Sequence, residues 1–213
     1  MVRIGVTGLM ASGKSTVARR FEERGAIRID GDALGWETLR LPKIRARIAE
    51  AFGSDVLGPD GAVDRARLGA VVFRDAGAME RLNAIVQPSL VAKVRERLAG
   101  ADARTRSGAD AAAGADVVVL DAALISTWGL ERELDGIVEV TAPDALRIGR
   151  LERARGIARA DAAARVQGQS LPPVGPAARL WRIENGGDEA ALRADADRVW
   201  DEIARMAAGR RRP

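Results

Sequence analysis

The sequence predicts an α/β fold: a parallel sheet flanked by helices. Residues 2–7 (VRIGVT) are β-branched and alternating, and a glycine-rich turn and a helical pattern follow them. Residues 117–120 (VVVL) form the continuous apolar run of a strand buried on both faces. Helical stretches, not tight turns, separate the strand-like segments, which requires right-handed crossovers between parallel neighbours.

The elements follow in order. After the first strand, a helix is expected from Lys14 to Glu23, with Val17, Ala18 and Phe21 on one face and Gly25 as its stop. Residues 26–29 (AIRI) are a second short strand. From Asp30 to about Gly100 the pattern is helical, with breaks at Pro42, Gly53, residues 58–61 (GPDG) and Pro88. Residues 100–115 are mostly Ala, Gly, Asp and Arg without periodicity, which predicts a flexible linker. Residues 137–140 (IVEV) are a further strand, and Pro143 opens the next helix. Residues 153–176, rich in Arg, Gln, Gly and Pro, suit a surface flap. A final amphipathic helix carries Leu192, Val199, Trp200 and Ile203 on one face. The expected division is a core of about 1–31, 116–152 and 182–208, a helical region of 32–100 and a lid of 153–176, all in one domain over 1–213.

Composition removes many chemistries. The chain has 213 residues, 47% of them apolar and 30% charged, as in an ordinary globular domain. It has no cysteine, hence no disulfide, thiolate nucleophile or zinc–sulfur site, and no histidine, hence no Ser-His-Asp triad or imidazole metal site. The formal charge is +4, and only three of its cations (Lys14, Lys43 and Lys93) are lysines. Aromatics are 3% and no basic cluster stands out before Arg210, Arg211 and Arg212, so a nucleic-acid partner is not expected. No apolar run is long enough to span a membrane, and the N-terminal run is too short and glycine-rich for a signal peptide. The expected location is the cytoplasm.

Residues 8–15 (GLMASGKS) fit the pattern G-x-x-x-x-G-K-[ST]. Gly8 and Gly13 allow the backbone to curl so that successive N–H groups form an anion nest. The helix starting near Lys14 aims its positive end at the same point. Lys14 adds charge on the β- and γ-phosphates, and the Ser15 hydroxyl can coordinate Mg²⁺. The ligand this implies is ATP or another nucleoside triphosphate, with Mg²⁺.

Three further features point to phosphoryl transfer. Asp32 follows the second strand at its carboxyl end, where ligands of such sheets bind, and can orient a hydroxyl and accept its proton. It can equally cap the helix opening at Ala33. Asp30 reads as structural or as a ligand to a metal-bound water. Asp121, directly after the apolar run, stands where a carboxylate would hold Mg²⁺ through water. Arg147, Arg150, Arg153, Arg155, Arg159 and Arg165 together suit a lid that brings cations to the migrating group.

Over nearly its whole length, to about residue 204, the chain resembles the dephospho-CoA kinase family. The resemblance is carried by residues 4–8 and 13–18, Phe21 with Gly25-Ala26, and residues 29–32 (IDGD). Phe52-Gly53, Asp60-Gly61, Asp64-Arg65, Leu68 and Val72-Phe73 continue it, as do residues 82–88 (LNAIVQP). Asp135, Val138, Val140, Arg165-Val166, Gln169 and Asn185-Gly186 then match in order. The resemblance implies a P-loop kinase fold with a helical acceptor-binding insertion. It also implies transfer of the γ-phosphate of ATP to the ribose 3′-hydroxyl of dephospho-CoA, a small-molecule acceptor. Asp32 takes the family's catalytic aspartate position beside Lys14. The nucleotide-binding set becomes Gly8, Ala11, Ser12, Gly13, Lys14, Ser15, Thr16 and Asn185, and the metal set Ser15 and Asp121. A monomer or weak homo-oligomer is expected.

Four departures stand out. Leu9 and Ala11 replace family glycines, Gln87 replaces a histidine, and residues 121–126 (DAALIS) lack the family's proline and glutamate. The family's lid arginine aligns with Ala154, so its role falls to Arg153 or Arg155. The alternatives are another nucleoside, nucleotide or sugar kinase of this fold, or an ATP-binding protein with lost or altered acceptor specificity.

Overall fold

The computed structural model describes residues 1–72, 75–106, 116–171, 173–175 and 179–210. They divide into two compact units, one of residues 1–30 and 98–213 and the other of residues 31–97.

The first unit holds a five-stranded, wholly parallel sheet of β1 (Val2–Thr7), β2 (Ile27–Asp30), β3 (Val117–Asp121), β4 (Gly136–Thr141) and β5 (Arg179–Glu184). The strand order is β2-β3-β1-β4-β5, with Val2 opposite Val117 and Ile4 opposite Gly136. The strand that leads into the phosphate loop is therefore central. Successive side chains of a strand face opposite ways, and both faces are covered. On one, Val2, Ile4, Val6, Val117, Val119, Val138 and Val140 pack against two helices, α1 (Lys14–Glu23) and α8 (Glu189–Arg210). Phe21 and Trp200 meet there with ring centroids 5.6 Å apart. Val118, Leu120 and Ile137, one step out of phase, are equally buried on the other.

Helix α1 keeps its expected bounds and buries Val17, Ala18 and Phe21. Pro143 precedes α6 (Asp144–Arg155), whose first amides reach back to the Pro143 carbonyl. Within the 153–176 segment, α6 runs to Arg155 and α7 (Arg159–Gln167) follows, so much of the expected flap is helical; Pro172 and Pro176 lie outside the described residues. Strand β5 was not anticipated. Its alternation buries Trp181 and Ile183 and exposes Arg179, Arg182 and Glu184, a charged edge that masks the strand pattern. Gly136 makes room for it, since a Cβ there would lie 2.3 Å from the Trp181 ring.

The second unit is helical: α2 (Gly31–Leu39), α3 (Pro42–Phe52), α4 (Arg65–Val72) and the greater part of α5 (Ala76–Arg106). Its core gathers Ile44, Ile48, Val56, Leu68, Val72, Ala78 and Ile85. Pro42 occupies the first turn of α3, where its missing N–H costs nothing. Pro88 does not break the chain as expected. It lies inside α5, where interior proline costs about 3 kcal/mol. Ile85, Leu90, Val91, Val94 and Leu98 are buried along the same helix and outweigh that cost at roughly 1.5–3 kcal/mol each. Helix α5 also takes in residues 100–106, the start of the expected linker; residues 107–115 lie outside the described residues, as do Phe73, Arg211 and Arg212.

Candidate active site

The loop between β1 and α1 is held by side chains from the far end of the chain. Arg147 Nε donates to the Met10 carbonyl at 3.0 Å, Arg150 Nη1 to the Ala11 carbonyl at 3.2 Å, and Asn185 Nδ2 to the Ser12 carbonyl at 2.7 Å. Three consecutive carbonyls are thus tied to one set of donors. Across a trans peptide the following N–H points the opposite way, so the amides of Ala11 and Gly13 turn away from those donors. The first-turn amides of Lys14 and Ser15 have no intrahelical acceptor. Together these N–H groups form the expected anion nest at the positive end of α1.

The bracket is itself cross-linked. Gln169 Oε1 accepts from both the Met10 amide and Arg147 Nη2 at 3.1 Å, and Arg150 Nη2 donates to Asn185 Oδ1 at 2.9 Å. Arg147 also pairs with Asp144 and is only 3% exposed, so it is a buried brace of the loop where the sequence suggested a lid arginine. Leu151, Ala162 and Val166 of α6 and α7 pack against the side chains of Met10 and Ala11.

Each loop position has a steric reason. A Cβ on Gly8 would lie 2.4 Å from the Val140 carbonyl oxygen, and one on Gly13 (φ 101°) would lie 2.3 Å from Asn185 Nδ2. Ala11 has φ 62°, the left-handed region that favours glycine. Its methyl packs on the α6–α7 cluster, which offsets that strain. Ser12 is 1% exposed and its Oγ has no hydrogen-bond partner among the described residues. A glycine-lined cradle with a lone buried hydroxyl at the N-terminus of a helix fits the phosphates of ATP. Thr16 donates its amide to the Gly13 carbonyl at 2.9 Å and belongs to the same turn.

Lys14 pairs with Asp121, which is 1% exposed at the end of β3. Arg28 on β2 completes the cluster: its Nη2 donates to Asp121 at 2.6 Å and to Asp30 at 3.1 Å. Burial opposes the charge on Arg28, but the hydrogen bond and charge of Asp121, with Asp30 and Glu22 adding, hold its guanidinium above the ordinary arginine range. Sequence reasoning missed Arg28. Its signal was a charged residue two places before Asp30 in a short strand, and only the β2–β3 pairing brings it to Asp121. Among the described residues, no three acidic, cysteine or histidine side chains gather into a metal cluster. The donor chemistry still suits Mg²⁺, a hard cation that takes few protein oxygens beside substrate phosphates and water.

Other expected residues make no hydrogen bond to the loop among the described contacts that place it. Asp32 is exposed in the first turn of α2, which opens at Gly31, so it is not the cap of a helix starting at Ala33. It belongs to the helical unit. Arg153 and Arg155 are exposed at the end of α6, and Arg153 Nε turns back to the Gly149 carbonyl. It is Arg147 and Arg150, earlier on that helix, that reach the phosphate loop. In the divergent 121–126 segment, Ala122 and Ile125 are fully buried, and Thr7 Oγ1 donates to the Ala123 carbonyl at 3.0 Å.

Comparison with known proteins gives this arrangement a family. The profile of the dephospho-CoA kinases matches residues 2–172. A dephospho-CoA kinase of Anaeromyxobacter dehalogenans is 41% identical over 213 residues, covering 99% of this chain and 95% of the relative. One from Moorella thermoacetica is 40% identical over 209 residues, covering 96% and 93%. Among solved structures, TT1252 from Thermus thermophilus superposes with a TM-score of 0.71 at 28% identity, covering 95% of this chain and 97% of that one. A Campylobacter jejuni dephospho-CoA kinase (TM-score 0.59, 20% identity, 94% and 96% covered) shares the fold. The phosphate loop, strands β1 to β4 and the helical unit all lie within residues 2–172: the chain belongs to the dephospho-CoA kinase family.

Proposed function

We propose that this protein transfers the γ-phosphate of ATP to the ribose 3′-hydroxyl of dephospho-CoA, completing coenzyme A. The observation that carries the reading is that the family match spans both the phosphate loop and the whole helical unit of residues 31–97. Kinases of one fold differ most in their acceptor-binding parts, so a match to the loop alone would leave the acceptor open.

In this reading the nest and Lys14 hold the β- and γ-phosphates, with Gly8, Ala11, Ser12, Gly13, Ser15 and Thr16 shaping the cradle and Asn185 fixing it. Asp32 orients the 3′-hydroxyl and takes its proton as the oxygen bonds to the γ-phosphorus; the bond to the bridging oxygen breaks and ADP leaves. Mg²⁺, when bound through Ser15 and, by way of water, Asp121, neutralises charge on the phosphates. Arg28 keeps Asp121 neutralised when Lys14 turns to the phosphates. Arg153 and Arg155 are the lid cations of this proposal, standing in for the arginine missing at Ala154. The protein acts in the cytoplasm on a small molecule, without nucleic acid, as a monomer or weak homo-oligomer. Among the described residues no helix is long and apolar enough to cross a membrane. A sugar-kinase reading draws no support from likeness to a Sinorhizobium meliloti gluconokinase, which at 17% identity concerns the fold alone.

The test is ADP release from Mg-ATP with dephospho-CoA, beside uridine, AMP and CMP. Selective turnover of dephospho-CoA supports the reading; turnover of another acceptor instead overturns it. Asp32→Asn should keep ATP binding and lose about 10²–10⁴-fold in kcat, the usual contribution of a general base. Full kcat in that variant would remove the proton-accepting role.

A further inference from the structure

The helical unit holds an exposed arginine that stacks on a tryptophan while its N–H groups have no acceptor among the described residues. Arg65 is the first residue of α4, and its guanidinium carbon lies 3.3 Å from the centroid of the Trp36 ring on α2. The preceding residue fixes that position: Asp64 Oδ1 accepts the amides of Ala66 at 2.8 Å and Arg67 at 3.1 Å. Neighbouring cations of the unit are occupied. Arg67 donates to the Asp55 and Leu57 carbonyls, Arg45 to the Gly61 carbonyl, and Lys93 to Glu37. Arg65 has no hydrogen bond and no carboxylate partner among the described residues.

Trp36 is itself 37% exposed, although a large aromatic ring gains most from full burial. A guanidinium stacked flat on an aromatic face keeps its in-plane N–H edge free, and that edge matches two phosphate oxygens at once. Trp36 lies four residues after Asp32 on the same helix. The two side chains therefore share a face, one turn and roughly 6 Å apart along the axis.

We infer that Arg65, held over the ring of Trp36, binds the diphosphate of the acceptor. This rests on the proposed function. The acceptor's reacting hydroxyl and its diphosphate hang from one ribose, so a cation stacked on the residue one helical turn from Asp32 is placed for the second group while Asp32 takes the first. Arg65 is the binding residue and Trp36 a positioning residue. The shared chemistry, a pair of phosphates, also occurs in ATP, and the kinetics separate the two sources.

The experiment compares wild type, Arg65→Met, Arg65→Lys and Trp36→Leu in steady-state kinetics with both substrates varied. Arg65→Met is expected to raise KM for dephospho-CoA by about 10- to 100-fold, the worth of a charge-assisted contact. KM for ATP, kcat and Tm should stay near wild type. Arg65→Lys keeps the charge without the fork and should recover part of the loss. Trp36→Leu should raise the same KM by about 3- to 10-fold, in line with a cation–π contact. It should also remove the part of the tryptophan fluorescence change that dephospho-CoA produces without ATP. An unchanged KM for dephospho-CoA in Arg65→Met, or a rise in KM for ATP instead, overturns the inference and leaves the function standing. A lower Tm with both Michaelis constants unchanged means the pair only staples α2 to α4, and overturns it too. Absence of wild-type turnover with dephospho-CoA ends both.

Discussion

Asn185 reaches across 173 residues of sequence to donate its side-chain amide to the Ser12 carbonyl, a buried hydrogen bond of 2.7 Å. The same amide nitrogen occupies the space that a side chain on Gly13 would need. Loop glycine and bracketing asparagine are therefore one steric unit. Asn185→Ala is expected to lose about 1–3 kcal/mol of stability, because it leaves a buried carbonyl and an arginine short of a partner. KM for ATP should rise more than KM for the acceptor. Thermal melts and two-substrate kinetics check both.

Ala11 sits where backbone strain and side-chain packing oppose each other. Ala11→Gly relieves a left-handed conformation but loses a methyl packed on α6 and α7, and each effect is about 1 kcal/mol. Its Tm should stay close to wild type. Ala11→Val, β-branched at φ 62°, should cost about 1–3 kcal/mol and weaken ATP binding. Differential scanning fluorimetry with and without ATP measures both.

The cluster of Lys14, Asp121 and Arg28 predicts unequal consequences for its two cations. In Lys14→Ala, Asp121 still has Arg28 at 2.6 Å, so the protein should fold while turnover nearly disappears. In Arg28→Met, Lys14 becomes the sole close cation of a buried carboxylate among the described residues and is held away from phosphate. That variant should lose about 1–3 kcal/mol of stability and show a raised KM for Mg-ATP with substantial kcat remaining. Equal loss of kcat in both would contradict this division.

Acid should loosen the contact between α1 and α8. Asp197 is held below the usual carboxylate range, first by the hydrogen bonds from Arg20 and then by those from Arg24. Glu23 is lowered likewise by Arg20 and Arg193. A depressed folded pKa stabilises above the unfolded value, near 4, and the gain is lost as pH falls through the folded one. Tm should therefore fall from pH 5 towards pH 3, less steeply in Asp197→Asn. Salt should shrink the difference, because these groups are partly exposed.

What the sequence disclosed follows the range of the interactions involved. The phosphate loop was legible because Gly8, Gly13 and Lys14 answer local backbone and charge demands. The core strands β1, β3 and β4 were legible because burial on both faces leaves continuous apolar runs. Strand β5 escaped because an edge strand needs only Trp181 and Ile183 inside, and charge fills the rest. Pro88 misled because a local rule met a helix buried over several turns. Within the site, Arg28, Gln169 and the choice of Arg147 and Arg150 over Arg153 and Arg155 depend on partners 93 to 159 residues away. No local pattern encodes those pairings.

The bracket around the phosphate loop also sets an order of events during synthesis. Residues 8–15 leave the ribosome well before Arg147, Arg150, Gln169 and Asn185, whose partners in the loop precede them by 137 to 173 residues. Strand β1 must likewise wait for both of its sheet neighbours, β3 and β4. A nascent chain halted before residue 147 carries the complete phosphate-binding motif but lacks what holds three of its carbonyls in place. Nucleotide binding thus waits for the synthesis of α6 and of Asn185, and chains cut short of them are left without a competent ATP site.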